Sequence, residues 1–183
     1  MAKSHAPIAL ITLVKLLVLF FVMTMMGGLD GQILGPKETH MVFYLQDWET
    51  GNATSVPVAG TNGTLSSVLN FGTIMVVDDA VTDGPDRQSK QVGRAQGIYV
   101  NSALDGSDLH LLFSVVFTNE KYNGSTLEIQ GADRFFLKYR EVSVVAGTGL
   151  FRYAQGHAVL ETVYLDLPTL NAVIKFNVTV HHY

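Results

Sequence analysis

The stretch 172–182, AVIKFNVTVHH, decides the fold. Ile174, Phe176, Val178 and Val180 alternate with Lys175, Asn177, Thr179 and His181, so one face is apolar and the other polar at a period of two. That is a strand buried on one side, the pattern of antiparallel sheets. Working outward, the same period recurs from His40, where Met41, Phe43, Leu45 and Asp47 face one way and Val42, Tyr44, Gln46 and Trp48 the other. Further strands are expected over 71–78, 92–101, 109–118, 125–130, 139–146 and 155–166. Asp105-Gly106, Asn123-Gly124 and the run 166–169 supply turn chemistry between them. No segment after the first thirty or so residues has a helical period. About eight antiparallel strands joined by mostly short turns must deal with their edges, and closure does so best. The expected fold is therefore all-β, an eight-stranded antiparallel β-barrel, with room inside for one small ligand.

The chain has 183 residues, enough for one core, and no cysteine, which excludes disulfides, thiol chemistry and zinc–thiolate sites. Its net charge of −4 and its scattered Lys and Arg give no nucleic-acid surface. Residues 1–31 read as a secretory signal peptide, with Lys3 and Lys15 ahead of the apolar run 16–26 and Gly27 and Gly28 after it; an uncleaved anchor is the other reading. Residues 32–183 then form the barrel domain. Sequons at Asn52, Asn62, Asn123 and Asn177 fit a secreted glycoprotein, and Asn177 falls on the polar face of its strand. The segment 29–39 reads as a loose arm, and 49–70, rich in Gly, Asn, Thr and Ser, as one long surface loop.

Chemistry concentrates in GADRFFLKYREVSVVAGTGLFRY, residues 131–153. Arg140 shares a face with Val142 and Val144, and Asp133 is the nearest group to satisfy it, either inside a wet pocket or as an outward ion pair. Gly147-Thr148-Gly149 then turns the chain. Asp47 ends an apolar face and is either solvated or hung into a cavity mouth. Asp78-Asp79, before Asp83-Gly84-Pro85, reads as a solvated turn. Gly93, Ala95 and Gly97 precede Tyr99 on one face, where small residues let another element or a ligand approach. His157, His181 and His182 read as surface residues, so no metal site is expected.

VFYLQDW at 42–48, FGTIMVVDDAVT at 71–82, VGRAQGIYV at 92–100, YNGSTLEIQGAD at 122–133 and REVSVVAGTGLFRYAQGHA at 140–158 together resemble the plant dirigent family. The resemblance covers the mature chain in order. It implies an eight-stranded barrel, allene oxide cyclase-like in form, that is secreted to the apoplast and forms homo-oligomers, trimers or dimers. It implies a small phenolic substrate and no cofactor: an external oxidase, laccase or peroxidase, makes phenoxy radicals from monolignols such as coniferyl alcohol. The barrel directs their coupling to optically active lignans. Family pocket residues fall on Asp47, Asp133 and Arg140 as catalytic candidates and on Tyr99, with Phe43 and Phe113, as substrate-binding candidates. Gln46 stands where a histidine is common, Asn101 where a second tyrosine is expected, and the chain ends His-His-Tyr. These departures point toward the larger branches that include pterocarpan synthases. The competing readings are thus a dehydratase that closes an isoflavanol through a quinone methide, and a carbohydrate-binding barrel using Trp48 and the loop 49–70.

Overall fold

The computed structural model describes residues 8–27, 35–61 and 67–183, in two compact units that divide at Gly35 and Pro36. The first unit is a helix, α1 (Ile8–Gly27), which takes in the apolar run of the expected leader and begins upstream of it. Among the described residues no helix is long and apolar enough to cross a membrane.

The second unit is a closed antiparallel barrel. Its strands are β1 (Lys37–Asp47), β2 (Ser55–Ala59), β3 (Ile74–Thr82), β4 (Gln91–Asn101), β5 (Leu109–Phe117), β6 (Thr126–Asp133), β7 (Arg140–Thr148), β8 (Gln155–Asp166) and β9 (Asn171–His182). Neighbours in sequence pair from β2 to β9, β9 pairs with β1 along its whole length, and β1 returns to β3 through Tyr44–Thr82, Leu45–Val81 and Gln46–Ala80. Eight strands close the ring. β2 continues along the same edge of β3 that β1 has just left, pairing Ser55 with Val77 and Val56 with Val76. A register shift follows Pro57, which has no N–H to give and is tolerated at an edge.

Three expectations change here. The segment 49–70 is not one loop, because β2 lies inside it; residues 62–66, and with them the Asn62 sequon, fall outside the described residues. Pairing starts at Lys37, within the expected arm. Asp78 and Asp79 sit inside β3 rather than in a turn, since alternation carries through to Thr82 with Met75, Val77, Asp79 and Val81 all facing in. Adjacent carboxylates at period two must point opposite ways, so the pair is split between solvent and lumen.

One end of the lumen is packed solid with rings. Phe43 stacks on Phe176 at 5.4 Å and meets Phe117 edge-on at 6.3 Å, while Phe117, Tyr122 and Phe151 form a tilted trio. Phe151 is delivered by a short 3-10 turn, Gly149–Phe151, that follows β7. Gly149 has φ +60, and a Cβ there would lie 2.6 Å from Ser125 Oγ, so only glycine fits. His182 also turns inward, against expectation. It is buried, with Nε2 2.9 Å from Thr39 Oγ1 and its ring edge-on to Phe151, whereas His157 and His181 are exposed.

Candidate active site

The other end of the lumen is open. A cavity of about 200 Å³ occupies it, walled by Leu45, Leu109, Leu111, Phe113, Leu160, Ile174 and Phe176, with Phe135 and Phe136 from the β6–β7 loop also lining it. Phe113 therefore lines the cavity, but Phe43 does not and belongs to the ring plug, stacked on Phe176. The small face of β4 is used for packing: a Cβ on Gly97 would come within 2.6 Å of Phe113 Cα and Cβ, so glycine lets β5 close in.

Into this apolar space the strands project two polar groups. The first gathers where β1 ends. Asp47 lines the cavity and accepts a hydrogen bond from Tyr99 Oη at 3.2 Å; Ser55, the first residue of β2, is 2.6 Å from the same phenol. Asp79 comes from β3, fully buried, and accepts from Thr54 Oγ1 at 2.5 Å. Glu49, just beyond β1, lines the same wall. Three carboxyls near one another, with only the weaker pull of the Arg94 guanidinium on Asp79 to oppose them, cannot all stay ionised in a low dielectric. Burial raises the Asp47 carboxyl to about 6, against the smaller opposing effects of the Tyr99 and Ser55 hydrogen bonds. Burial and the Asp47 charge raise Glu49 to about 8. Asp79 is pushed up by burial first and by Asp47 second, and the Tyr99 phenol is raised by the same two causes. Asp47 Oδ1 and Asp79 Oδ2 are buried with no hydrogen-bond partner.

The second group is the ion pair. Arg140 opens β7 and Asp133 closes β6, and their side chains are 2% and 8% exposed, so the inward alternative holds. Arg140 Nε donates to Asp133 Oδ1 at 2.6 Å and Nη2 to Oδ2 at 3.3 Å, a forked contact that fixes the guanidinium plane. The β6–β7 ladder stops at Gln130–Ser143, so beyond it this pair joins the two strands in place of backbone bonds. Arg140 Nη1 is buried and has no hydrogen-bond partner. Both residues line the cavity.

The family profile described as Dirigent-like protein matches residues 38–181. The chain belongs to the dirigent family. Dirigent protein 1 of Arabidopsis thaliana is 41% identical over 147 residues, covering 80% of each chain. Pterocarpan synthase 1 of Glycyrrhiza echinata is 36% identical over 188 residues, covering the whole of both. The solved structure of the pterocarpan synthase dirigent protein GePTS1 superposes with a TM-score of 0.77 at 36% identity, over 81% of this chain and 87% of that one.

Within this dirigent barrel the structure brings Asp47, Tyr99, Phe113, Asp133 and Arg140 to one cavity. Asp79 and Glu49 were not among the sequence candidates. Asp79 was legible in principle, since Met75, Val77 and Val81 flank it on one face, but a double aspartate before Asp-Gly-Pro looks like a turn. Glu49, Thr54 and Ser55 depend on how the segment after β1 folds back, which no period encodes. Asn101, at the position of the second expected tyrosine, donates to Val68 O at 2.8 Å and Gly106 O at 2.9 Å, and so holds the Val68 wall of the cavity. Asn52, Asn123 and Asn177 are exposed. Trp48 is half-buried with the Arg87 guanidinium 4.0 Å above its ring, so one ring face is already taken. Among the described residues no group of three His, Cys, Asp or Glu is placed to hold a metal.

Proposed function

We propose that this chain directs the stereochemistry of phenoxy-radical coupling, holding phenolic radicals from a separate laccase or peroxidase so that one optically active lignan results. The observation that carries the reading is an apolar cavity whose carboxyls are raised toward neutral pH, Asp47 to about 6 and Glu49 to about 8, shared with a guanidinium whose Nη1 has no hydrogen-bond partner. Coupling of two radicals forms the new carbon–carbon bond and leaves quinone methides. Ring closure then needs a proton at each carbonyl oxygen as the side-chain hydroxyl attacks the methide carbon and gives up its own. Asp47, titrating near 6, can hold or accept that proton, Glu49 and Asp79 can donate, and Arg140 Nη1 can orient the developing phenolate. The walls admit the rings and exclude water, which fixes the reacting faces.

A second reading is favoured by the acids themselves. A carboxyl raised to about 8, as Glu49 is, suits protonation of a leaving hydroxyl, the step a dehydratase of pterocarpan-synthase type would need to turn an isoflavanol into a quinone methide that an internal phenol closes. Purified protein is given coniferyl alcohol with an oxidase, and separately a 2'-hydroxyisoflavanol alone, with chiral chromatography of both. Enantiomeric excess in the first supports radical direction; product in the second supports dehydration, because no oxidant is present there. Racemic lignans and no pterocarpan would sink both.

The same proposal places the protein in the apoplast. Its support is the apolar α1 as a cleaved leader and three exposed sequons. A homo-oligomer fits the outward row Val56, Val76 and Leu112, each 42–49% exposed and carried by paired strands β2 to β5.

A further inference from the structure

The turn joining β8 to β9 carries a side chain that the chemistry above does not use. Leu170 has φ +58, a left-handed backbone in which any residue with a Cβ is disfavoured and a glycine is at ease. The conformation is enforced from both sides. Leu170 N donates to Asp166 O at 2.7 Å, and Thr169 Oγ1 donates to Asp166 Oδ2 at 2.5 Å, which closes the turn on itself. The next residue, Asn171, reaches across to the segment after β1. Its Oδ1 accepts from Glu49 N at 2.9 Å and Thr50 N at 3.1 Å, and its Nδ2 donates to Thr50 Oγ1 at 3.1 Å.

The result of that enforcement is where the leucine goes. Leu170 packs partly buried against the core and lines the cavity, alongside Leu165 of β8 and Leu167 of the same turn. The other non-glycine residue with positive φ among those described, Tyr153, is 74% exposed and lies outside this cavity. At Leu170 the backbone asks for glycine and the cavity receives an isobutyl group. Strain held at a cavity wall is a mark of function.

We propose that Leu170 determines specificity, its side chain limiting the size of the phenolic guest. The proposal rests on the reading of the cavity as a phenol site. Its test uses Leu170→Gly, which removes side chain and strain together, and Leu170→Ala, which removes most of the side chain and keeps the strain. Affinities of para-cresol, 2-naphthol and para-phenylphenol are measured by calorimetry, with melting temperatures alongside. Both variants shift the affinity ratio toward para-phenylphenol by about tenfold, as expected for emptying a few carbons of pocket, while the glycine variant melts higher than the alanine one. A ratio unchanged in both, or changed only in the less stable variant, overturns the wall and leaves the phenol reading standing, since the parent still binds. A parent that binds none of the three removes the phenol reading and the wall with it.

Discussion

Along β1 the inward residues run Met41, Phe43, Leu45 and then Asp47; along β3 they run Met75, Val77 and then Asp79. On β9, which runs against β1, Val178 and Val180 fill the opposite end, and Phe176 sits at the boundary between the two. One set of eight strands thus builds two unlike half-lumens. The plugged half satisfies itself with stacked and edge-on rings. The open half holds carboxyls, a phenol and a guanidinium, and leaves Asp47 Oδ1, Asp79 Oδ2 and Arg140 Nη1 without hydrogen-bond partners. Backbone geometry is common to both, so the division comes from the last inward positions of a few strands. Burial of rings stabilises the barrel, and that surplus offsets the desolvation of these polar groups.

The largest effect should come from the plug. Phe151→Ala removes a ring that is fully buried, lies outside the cavity wall and touches Phe117, Tyr122 and His182. A loss of about 3–5 kcal/mol is expected, or roughly 10 °C or more in melting temperature for a domain of this size. Product handedness in the protein that remains folded should change less than for any open-half variant. A selectivity collapse with normal melting would show that the two halves are not separable.

Next comes the ion pair. Arg140→Gln leaves Asp133 buried without its cation, at a cost of about 3 kcal/mol, and removes the forked contact that joins β6 and β7 beyond Gln130–Ser143. Stability and product selectivity should fall together. Asp133→Asn/Arg140→Gln, which removes both charges, should recover part of the melting temperature and none of the selectivity. Recovery of both would mean that the pair is only a brace.

A third effect is a slope. Asp47 and Glu49 titrate near 6 and 8 in the folded chain, above their ordinary values of 3.8 and 4.5. The folded state therefore holds these protons more tightly than the unfolded chain does. The stability they contribute is complete below about pH 4 and is lost as pH rises through 6 and then 8. Melting temperature should decline from pH 5 to 9, and Asp47→Asn with Glu49→Gln should flatten that decline. Stereoselective activity should fall over the same range if a protonated carboxyl is used. A flat profile in the parent would remove the acid cluster from the mechanism.

How far these halves could be read in advance depends on the residue. The barrel was legible because alternation such as that of Ile174 to Val180 fixes which side chains face in, and Asp47 and Arg140 sat on apolar faces where a charge stands out. The ring plug was not distinguished from the cavity, since Phe43 and Phe113 lie on equivalent inward faces and only the three-dimensional level of each separates them. His182 was read as a surface residue although it continues the inward alternation of Phe176, Val178 and Val180, and its pairing with Lys37 carries that face through to the end of the strand. Glu49 and Ser55 reach the cavity through the fold-back between β1 and β2, a path with no periodic signature.

Asp78 and Asp79 carry the comparison down to neighbouring residues on one strand. Asp78 faces solvent, and Arg94 Nε donates to its Oδ1 at 2.5 Å, with both side chains substantially exposed. Asp78→Asn should change stability by about 0.5 kcal/mol or less, as for most surface pairs, and leave the product unaltered. Asp79→Asn keeps an oxygen for Thr54 and loses the capacity to titrate next to Asp47. Melting should hardly fall, because an amide is cheaper to bury than a carboxylate, yet product handedness or yield should shift. The two variants differ by one position and no net charge, so chiral analysis of the pair isolates which side of the sheet a carboxyl faces. Equal products from both would deny Asp79 any part in the site and return the open half to Asp47, Glu49 and the ion pair alone.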